Sequence, residues 1–382
     1  MERKKKVVLI GSAYPLRGGL ASYNERIIRE YLNMGYDAEI YTFSLQYPRF
    51  LFPGKTQYSS DPAPENLKIL IKVNSINPLN WIKVGLEVKK KKPDLVLVKF
   101  WLPFMAPCFG TIARIIRKNR FSKIISIVDN IIPHEHRLGD RCLARFWVNS
   151  VDGFVAMSKN VLEDLKTFSK TKPALFCPHP IYDNYGKTIH RQEALRNLKL
   201  SEDFRYILFF GFIRDYKGLD LLLKAFSEEK LKTLPIRLLI AGEFYTDPKS
   251  YLELIDKLGI RNRVILSNDF IPDSQVANYF CASSLVVQPY KSATQSGVSQ
   301  IAYHFNRPMV ITNVGGLEEF VKDGVVGYVV NPEPFEIAEA IYKYFEGGKE
   351  EEFSKNVEKE KLQFSWSNMI KTIDLLLIKP LT

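Results

Sequence analysis

The sequence predicts an α/β protein of two doubly wound domains, each a parallel sheet with helices on both faces. Three observations predict it. The chain has 382 residues, too many for one ordinary core and suited to two domains of about 150–200 residues each. Short apolar runs alternate with longer amphipathic stretches, the rhythm of βαβ units. That rhythm breaks at residues 177–186, rich in Pro, Tyr and polar groups, and restarts at Tyr206.

Each element follows from its own residues. Residues 7–10 (Val-Val-Leu-Ile) are a short apolar run and predict a buried strand. Residues 20–34 predict a helix that Gly35 stops. Residues 38–41 predict the next strand. Residues 44–66 carry Pro48, Pro53, Gly54, Pro62 and Pro64 and predict a long irregular loop. Strands follow at 67–73, 95–98, 123–128 and 154–157, with helices at 78–92 and 104–119. Pro107 falls in the first turn of the latter, where a missing N–H does no harm. The second set has strands at 206–210, 237–240, 264–266, 285–287 and 308–311, with helices between them. The expected division is 1–182, 183–363, and a final helix 364–382 packing back on the first domain, with the two domains facing across a cleft.

Composition sets the class. Hydrophobic residues are 46% and charged residues 25%, as in a globular protein. The net charge of +12 is uneven: residues 1–200 hold 33 Lys and Arg against 17 Asp and Glu, leaving 21 against 25 for the rest. A basic half suggests an anionic partner, and a solvated charged face is the plain alternative. Cys108, Cys142, Cys177 and Cys281 fit no metal-ligand spacing and read as reduced thiols. The apolar run after the charged start is too short for a signal peptide, and the uncharged, largely apolar run 100–113 contains two prolines. The expectation is a cytoplasmic chain, with the inner membrane face as a docking surface. No nucleic-acid module is present, so nucleic acid is not expected as a partner.

Four strand-end turns carry the chemistry, because ligands of doubly wound sheets sit beyond the carboxyl ends of strands. Gly18-Gly19 precedes a helix after the first strand; glycine admits close backbone approach and helix N-terminal amides attract phosphate. Its spacing is not the three-glycine dinucleotide pattern, and an ordinary tight turn explains it equally well. Residues 211–218 (Gly-Phe-Ile-Arg-Asp-Tyr-Lys-Gly) place Arg214 and Lys217 three apart, a guanidinium fork and an ammonium suited to one diphosphate. Thr294-Gln295-Ser296-Gly297-Val298 opens another helix and reads as a phosphate-binding turn, an N-cap turn, or both. Gly315-Gly316 repeats the strand-turn-helix logic weakly.

Together these residues resemble the retaining glycosyltransferases of the GT-B fold, family four (glycosyl transferases group one). Residues 211–218 resemble that family's diphosphate-binding segment, and Arg307-Pro308-Met309-Val310 with Gly315-Gly316 its proline-led strand and glycine turn. Phe364-Ser365-Trp366 resembles the aromatic ahead of its last helix. The resemblance implies two Rossmann-like domains, a nucleotide-sugar donor linked to UDP or GDP, and retention at the anomeric carbon. It departs at the family's two glutamates, which fall on Thr294 and Ala302, and at its histidine, where Asp129 stands with His134 nearby.

The expected machinery is therefore Arg214 and Lys217 on the diphosphate, with His134 and Asp129 toward the sugar or acceptor. Gly18, Gly19, Gly211, Glu243, Phe270, Ile271, Thr294, Gln295, Ser296, Gly297 and Val298 would contact the donor. Arg17, Tyr47 and Arg49 would contact a glycan or lipid-linked acceptor in cell-surface assembly. No metal or other cofactor is expected, since no Asp-x-Asp pair occurs. Residues 100–113 fit either docking at an anionic membrane or a buried helix. A nucleotide-sugar epimerase and a non-catalytic nucleotide-sugar-binding protein are the rival readings.

Overall fold

The computed structural model describes residues 3–48, 55–132, 138–293 and 296–378. The chain forms two compact units, one of residues 1–52, 56–180 and 365–382, the other of 53–55 and 181–364.

The first unit runs β1 (Lys6–Ile10), α1 (Gly19–Asn33), β2 (Asp37–Leu45), β3 (Ile69–Asn74), α2 (Pro78–Lys91), β4 (Leu95–Phe100), α3 (Ala106–Arg117), β5 (Lys123–Val128), α4 (Asp140–Val148), β6 (Gly153–Ala156), α5 (Lys159–Phe168) and β7 (Ala174–Phe176). Its sheet has the order β3-β2-β1-β4-β5-β6-β7, and every pairing is parallel. The central strands are mostly apolar because helices cover both faces; β4 is buried along its whole length, Lys99 included.

The second unit runs α6 (Arg191–Asn197), β8 (Arg205–Phe210), α7 (Leu219–Phe226), α8 (Glu229–Lys232), β9 (Ile236–Ala241), α9 (Lys249–Lys257), β10 (Val264–Ser267), α10 (Val276–Ala282), β11 (Leu285–Gln288), α11 (Gly297–His304), β12 (Met309–Thr312), β13 (Gly327–Val330), α12 (Pro334–Glu346) and α13 (Glu350–Glu360). Its parallel sheet has the order β10-β9-β8-β11-β12-β13. The last helix, α14 (Trp366–Ile378), belongs to the first unit. There the Trp366 ring lies 4.9 Å from that of Tyr23, and the Arg26 guanidinium sits 5.1 Å above Trp366.

Three sequence expectations are corrected. The strand expected at 38–41 runs to Leu45, so the loop begins later. Strand β13 was not expected; its first residue, Gly327, lies so close to β12 that a Cβ would fall 1.8 Å from the Met309 carbonyl oxygen. Of the two readings of residues 100–113, the docking one is corrected in favour of the buried helix: Phe100, Met105, Ala106, Cys108, Phe109, Ile112 and Ala113 all belong to the core. Burial there also pushes the Cys108 thiol pKa well up.

Candidate active site

Topology decides where the strand-end turns meet. In the second sheet β8 lies between β9 and β11, so the chain leaves β8 in one direction and β11 in the other. The turns after these two strands therefore flank one switch point, the position where doubly wound sheets bind ligands. Those turns are residues 211–218 and the approach to Ser296-Gly297.

Gly211 ends the strand with a positive φ of 98°. Its N–H donates to the Ala241 carbonyl at 2.9 Å. A Cβ at this position would stand 3.1 Å from Lys217 Nζ and 3.7 Å from Val298 Cγ2. The bare Gly211 backbone, the lysine ammonium and the first turn of α11 thus converge. Lys217 is held by a short 3₁₀ turn, Asp215–Lys217, that ends at Gly218. Gly218 is obligatory there, because its φ is +67° and a Cβ would lie 1.9 Å from the Pro289 carbonyl oxygen.

Lys217 is 9% exposed. Burial, and next the neighbouring Arg214 charge, lower its pKa to about 8. Among the described residues no carboxylate pairs with it; its ammonium lies 5.5 Å from the Tyr290 ring centroid. A buried cation without an anion is a costly arrangement that an incoming phosphate would relieve. Arg214 is half-buried, with its guanidinium 4.8 Å above the Tyr245 ring. Lys291 is differently employed, since it pairs with Asp215 at 3.0 Å and Asp220 at 2.9 Å.

Ser296 caps α11, accepting from the Val298 N–H at 3.2 Å. Its hydroxyl also lies 3.3 Å from the buried Tyr290 hydroxyl. Behind it, Gln288 and Ser299 bond reciprocally at 3.0 and 3.2 Å, and Thr312 donates to the Tyr290 carbonyl at 2.6 Å. This buried network fixes the helix start. Thr294 and Gln295 lie outside the described residues; Ala302 is fully buried within α11.

Phe270 and Ile271 follow β10. Phe270 stacks with Phe212 at 6.0 Å, and Phe212 packs at a tilt against Tyr245 at 4.5 Å. Phe270 is among the residues the sequence points to, but Phe212 and Tyr245 beside Arg214 are not, because the three rings come from three separate loops. Ile271 is 9% exposed. Glu243 is buried, and its carboxylate accepts from the backbone N–H of Lys55, a residue of the same unit, at 2.6 Å.

The first unit carries a second cluster. Here β1 lies between β2 and β4, so its switch point is bounded by the turns after β1 and β4. Gly18 caps α1 with a φ of 96°, and Gly19 opens the helix. Arg17 is tied by its backbone N–H to the Gln57 carbonyl at 3.0 Å. Tyr47 stacks on Phe104 at 6.2 Å and accepts from Trp101 Nε1 at 2.7 Å. Arg49 and His134 lie outside the described residues.

Asp129, just past β5, accepts from Lys99 Nζ at 2.8 Å. Lys99 is 2% exposed and lies 3.5 Å from the Tyr23 ring centroid. Burial lowers the Lys99 pKa, and the Asp129 charge opposes that shift. His179 packs edge-on against Tyr23 at 5.1 Å. Burial first, and then the Lys99 charge, lower its pKa to about 3, so it is neutral at physiological pH. Its Nδ1 donates to the Pro180 carbonyl at 2.7 Å. Lys99 and His179 carried no motif: an ion pair joining two strands 30 residues apart leaves no spacing to read. Among the described residues no group of three His, Cys, Asp or Glu is placed to hold a metal.

Residues 204–346 match the family model described as glycosyl transferases group 1. A D-inositol 3-phosphate glycosyltransferase of Thermobifida fusca is 32% identical over 162 residues, which cover 40% of this chain and 37% of that protein. The Mycobacterium tuberculosis enzyme of the same name is 31% identical over 199 residues, 49% of this chain and 39% of that one. The chain thus spans about two-fifths of the length of the curated relatives it matches. Among solved structures, a sucrose-phosphate synthase of Thermosynechococcus elongatus superposes with a TM-score of 0.75 at 15% identity, covering 97% of this chain and 98% of that one. Anabaena HepE, solved in complex with UDP-glucose, superposes at 0.72 and 16% identity, covering 97% and 99%. These likenesses show the GT-B fold.

Proposed function

We propose that this chain transfers a sugar from a nucleotide-diphosphate donor to an acceptor, since residues 204–346 match the group 1 glycosyltransferase family model and the chain has the GT-B fold. One observation carries the reading: Lys217 Nζ, the Gly211 backbone and the first turn of α11 converge, and the buried ammonium has no carboxylate beside it among the described residues.

The chemistry follows from charge. As the anomeric carbon–oxygen bond stretches, negative charge grows on the departing diphosphate. Lys217, Arg214 and the amides at Ser296-Gly297 meet that charge without reorganising, which is electrostatic preorganisation. Phe212, Tyr245 and Phe270 offer an aromatic surface for the base, and Glu243 is the carboxylate for the ribose. In this proposal the positive side chains and helix amides neutralise the diphosphate and no metal is used. Asp129, oriented by Lys99, contacts the sugar or the acceptor. Retention at the anomeric carbon is the expected stereochemistry. The acceptor is a glycan or lipid-linked glycan of cell-surface assembly, met by the basic first half of the chain.

Thermal stabilisation by UDP, GDP and their sugar conjugates tests the donor site. One nucleotide family stabilises the wild type, and Arg214→Ala and Lys217→Ala each lose most of that shift. Turnover falls by about 10²–10³-fold in each variant, as when a single oxyanion donor is removed. Stabilisation that survives both substitutions would remove the diphosphate from this turn.

A further inference from the structure

Helix α2 has an unusual outer face. Its buried side holds Val84, Gly85 and Val88. A Cβ on Gly85 would lie 3.0 Å from Ile115 Cβ, so this side is pressed against α3. On the opposite side Leu79, Ile82 and Leu86 are 78%, 44% and 51% exposed. Their spacing of three and four residues places them on one stripe. Ile76, just ahead of the Asn77 cap, is 49% exposed as well. A surface helix ordinarily turns polar residues outward; this one turns large aliphatics outward.

Lysines frame the stripe. Lys83 and Lys90 are exposed on the same side, Lys89 lies at its margin, and Lys92 follows the helix. Glu87 is the sole acid of the helix, and it is engaged by Lys72 at 3.4 Å and by the Tyr41 hydroxyl at 2.9 Å. The surface is therefore apolar and cationic together.

We propose that this face of α2 docks the protein on an anionic lipid surface, with Leu79, Ile82 and Leu86 entering the headgroup–acyl boundary and Lys83, Lys89, Lys90 and Lys92 pairing with lipid phosphates. Both parts of the pattern belong to interfacial helices. A second copy of the chain fits poorly: a two-fold contact would set each lysine set against its equivalent with no free acid between them. A nucleic acid would use the lysines and leave the aliphatics exposed. The inference goes beyond the proposed transfer reaction and stands on different residues.

Sedimentation of the full chain with vesicles tests it. Vesicles of phosphatidylcholine alone are compared with vesicles containing about one-third phosphatidylglycerol, at low and high salt. The wild type pellets with the anionic vesicles and releases at high salt. Leu79→Ser with Leu86→Ser, and separately Lys83→Glu with Lys90→Glu, each lower the bound fraction by about tenfold or more. Lys257→Glu, exposed on α9, binds as the wild type does. All variants keep the wild-type circular dichroism, melting temperature and nucleotide-induced thermal shift, so the vesicle result is separate from the donor-site result. Wild-type protein that ignores anionic vesicles overturns the proposal, as does binding unchanged in both double variants. A dimer in size-exclusion chromatography that either pair converts to monomer assigns the face to a second copy instead.

Discussion

Lys217 shows how a buried cation strains the fold it sits in. Its pKa falls from the usual 10.5 to about 8, a penalty of roughly 3 kcal/mol on the charged form. Between about pH 8 and 10.5 the unfolded chain binds the proton and the folded chain does not, so stability rises with pH across that window. Lys217→Met should therefore raise the urea midpoint at pH 7 and flatten this rise, while abolishing nucleotide-diphosphate binding. A bound diphosphate restores the charge, so binding takes up a proton above about pH 8. Calorimetry should show wild-type affinity falling by up to about tenfold per pH unit there. Lys99 is the opposite case, a buried cation with its anion. Lys99→Met removes the cation beside Asp129 and should cost about 3–5 kcal/mol in equilibrium unfolding. Adding Asp129→Asn should recover a large part of that loss, because the buried negative charge is then gone.

At the scale of the element, the turns after β8 and β11 depend on features that are not themselves chemical. Gly218 leaves no room for a side chain, with the Pro289 carbonyl 1.9 Å from where a Cβ would be. Gly218→Ala should destabilise by more than the ~1–2 kcal/mol that a left-handed residue costs alone. The loop before α11 must also shift, so the nucleotide-induced thermal shift should shrink with it. Ser296→Ala makes a milder comparison, losing the cap of α11 for about 1 kcal/mol. If Gly218→Ala bound nucleotide as the wild type does, the close approach would matter to packing alone.

At the scale of the whole molecule, the final helix lies far in sequence from the unit it completes. Trp366 is 3% exposed, and it fills the space beside Tyr23 while Arg26 covers its face. Trp366→Ala should cost about 3–5 kcal/mol. The loss should fall on the unit that holds α14. Hydrogen exchange followed by proteolysis and mass spectrometry should show β1 and α1 losing protection, while β8 and β11 keep theirs. Equal loss in both units would mean that they unfold as one.

Sequence by itself determined the two doubly wound units, because the alternation of apolar runs and amphipathic stretches is a local property of the chain. It also determined the turns at residues 211–218 and 296–298, since glycine and capping residues record local backbone needs. The tertiary structure decided the rest. Sheet order brings Gly211, Lys217 and Val298 together from two different loops. It also pairs Lys99 with Asp129 inside the first unit, where sequence suggested only a substituted histidine. The 100–113 run and helix α2 both carry large aliphatic side chains, yet the first is mostly buried and the second turns Leu79, Ile82 and Leu86 outward. Composition records how hydrophobic a segment is, but its covering depends on elements distant in the chain, and only folding sets their places.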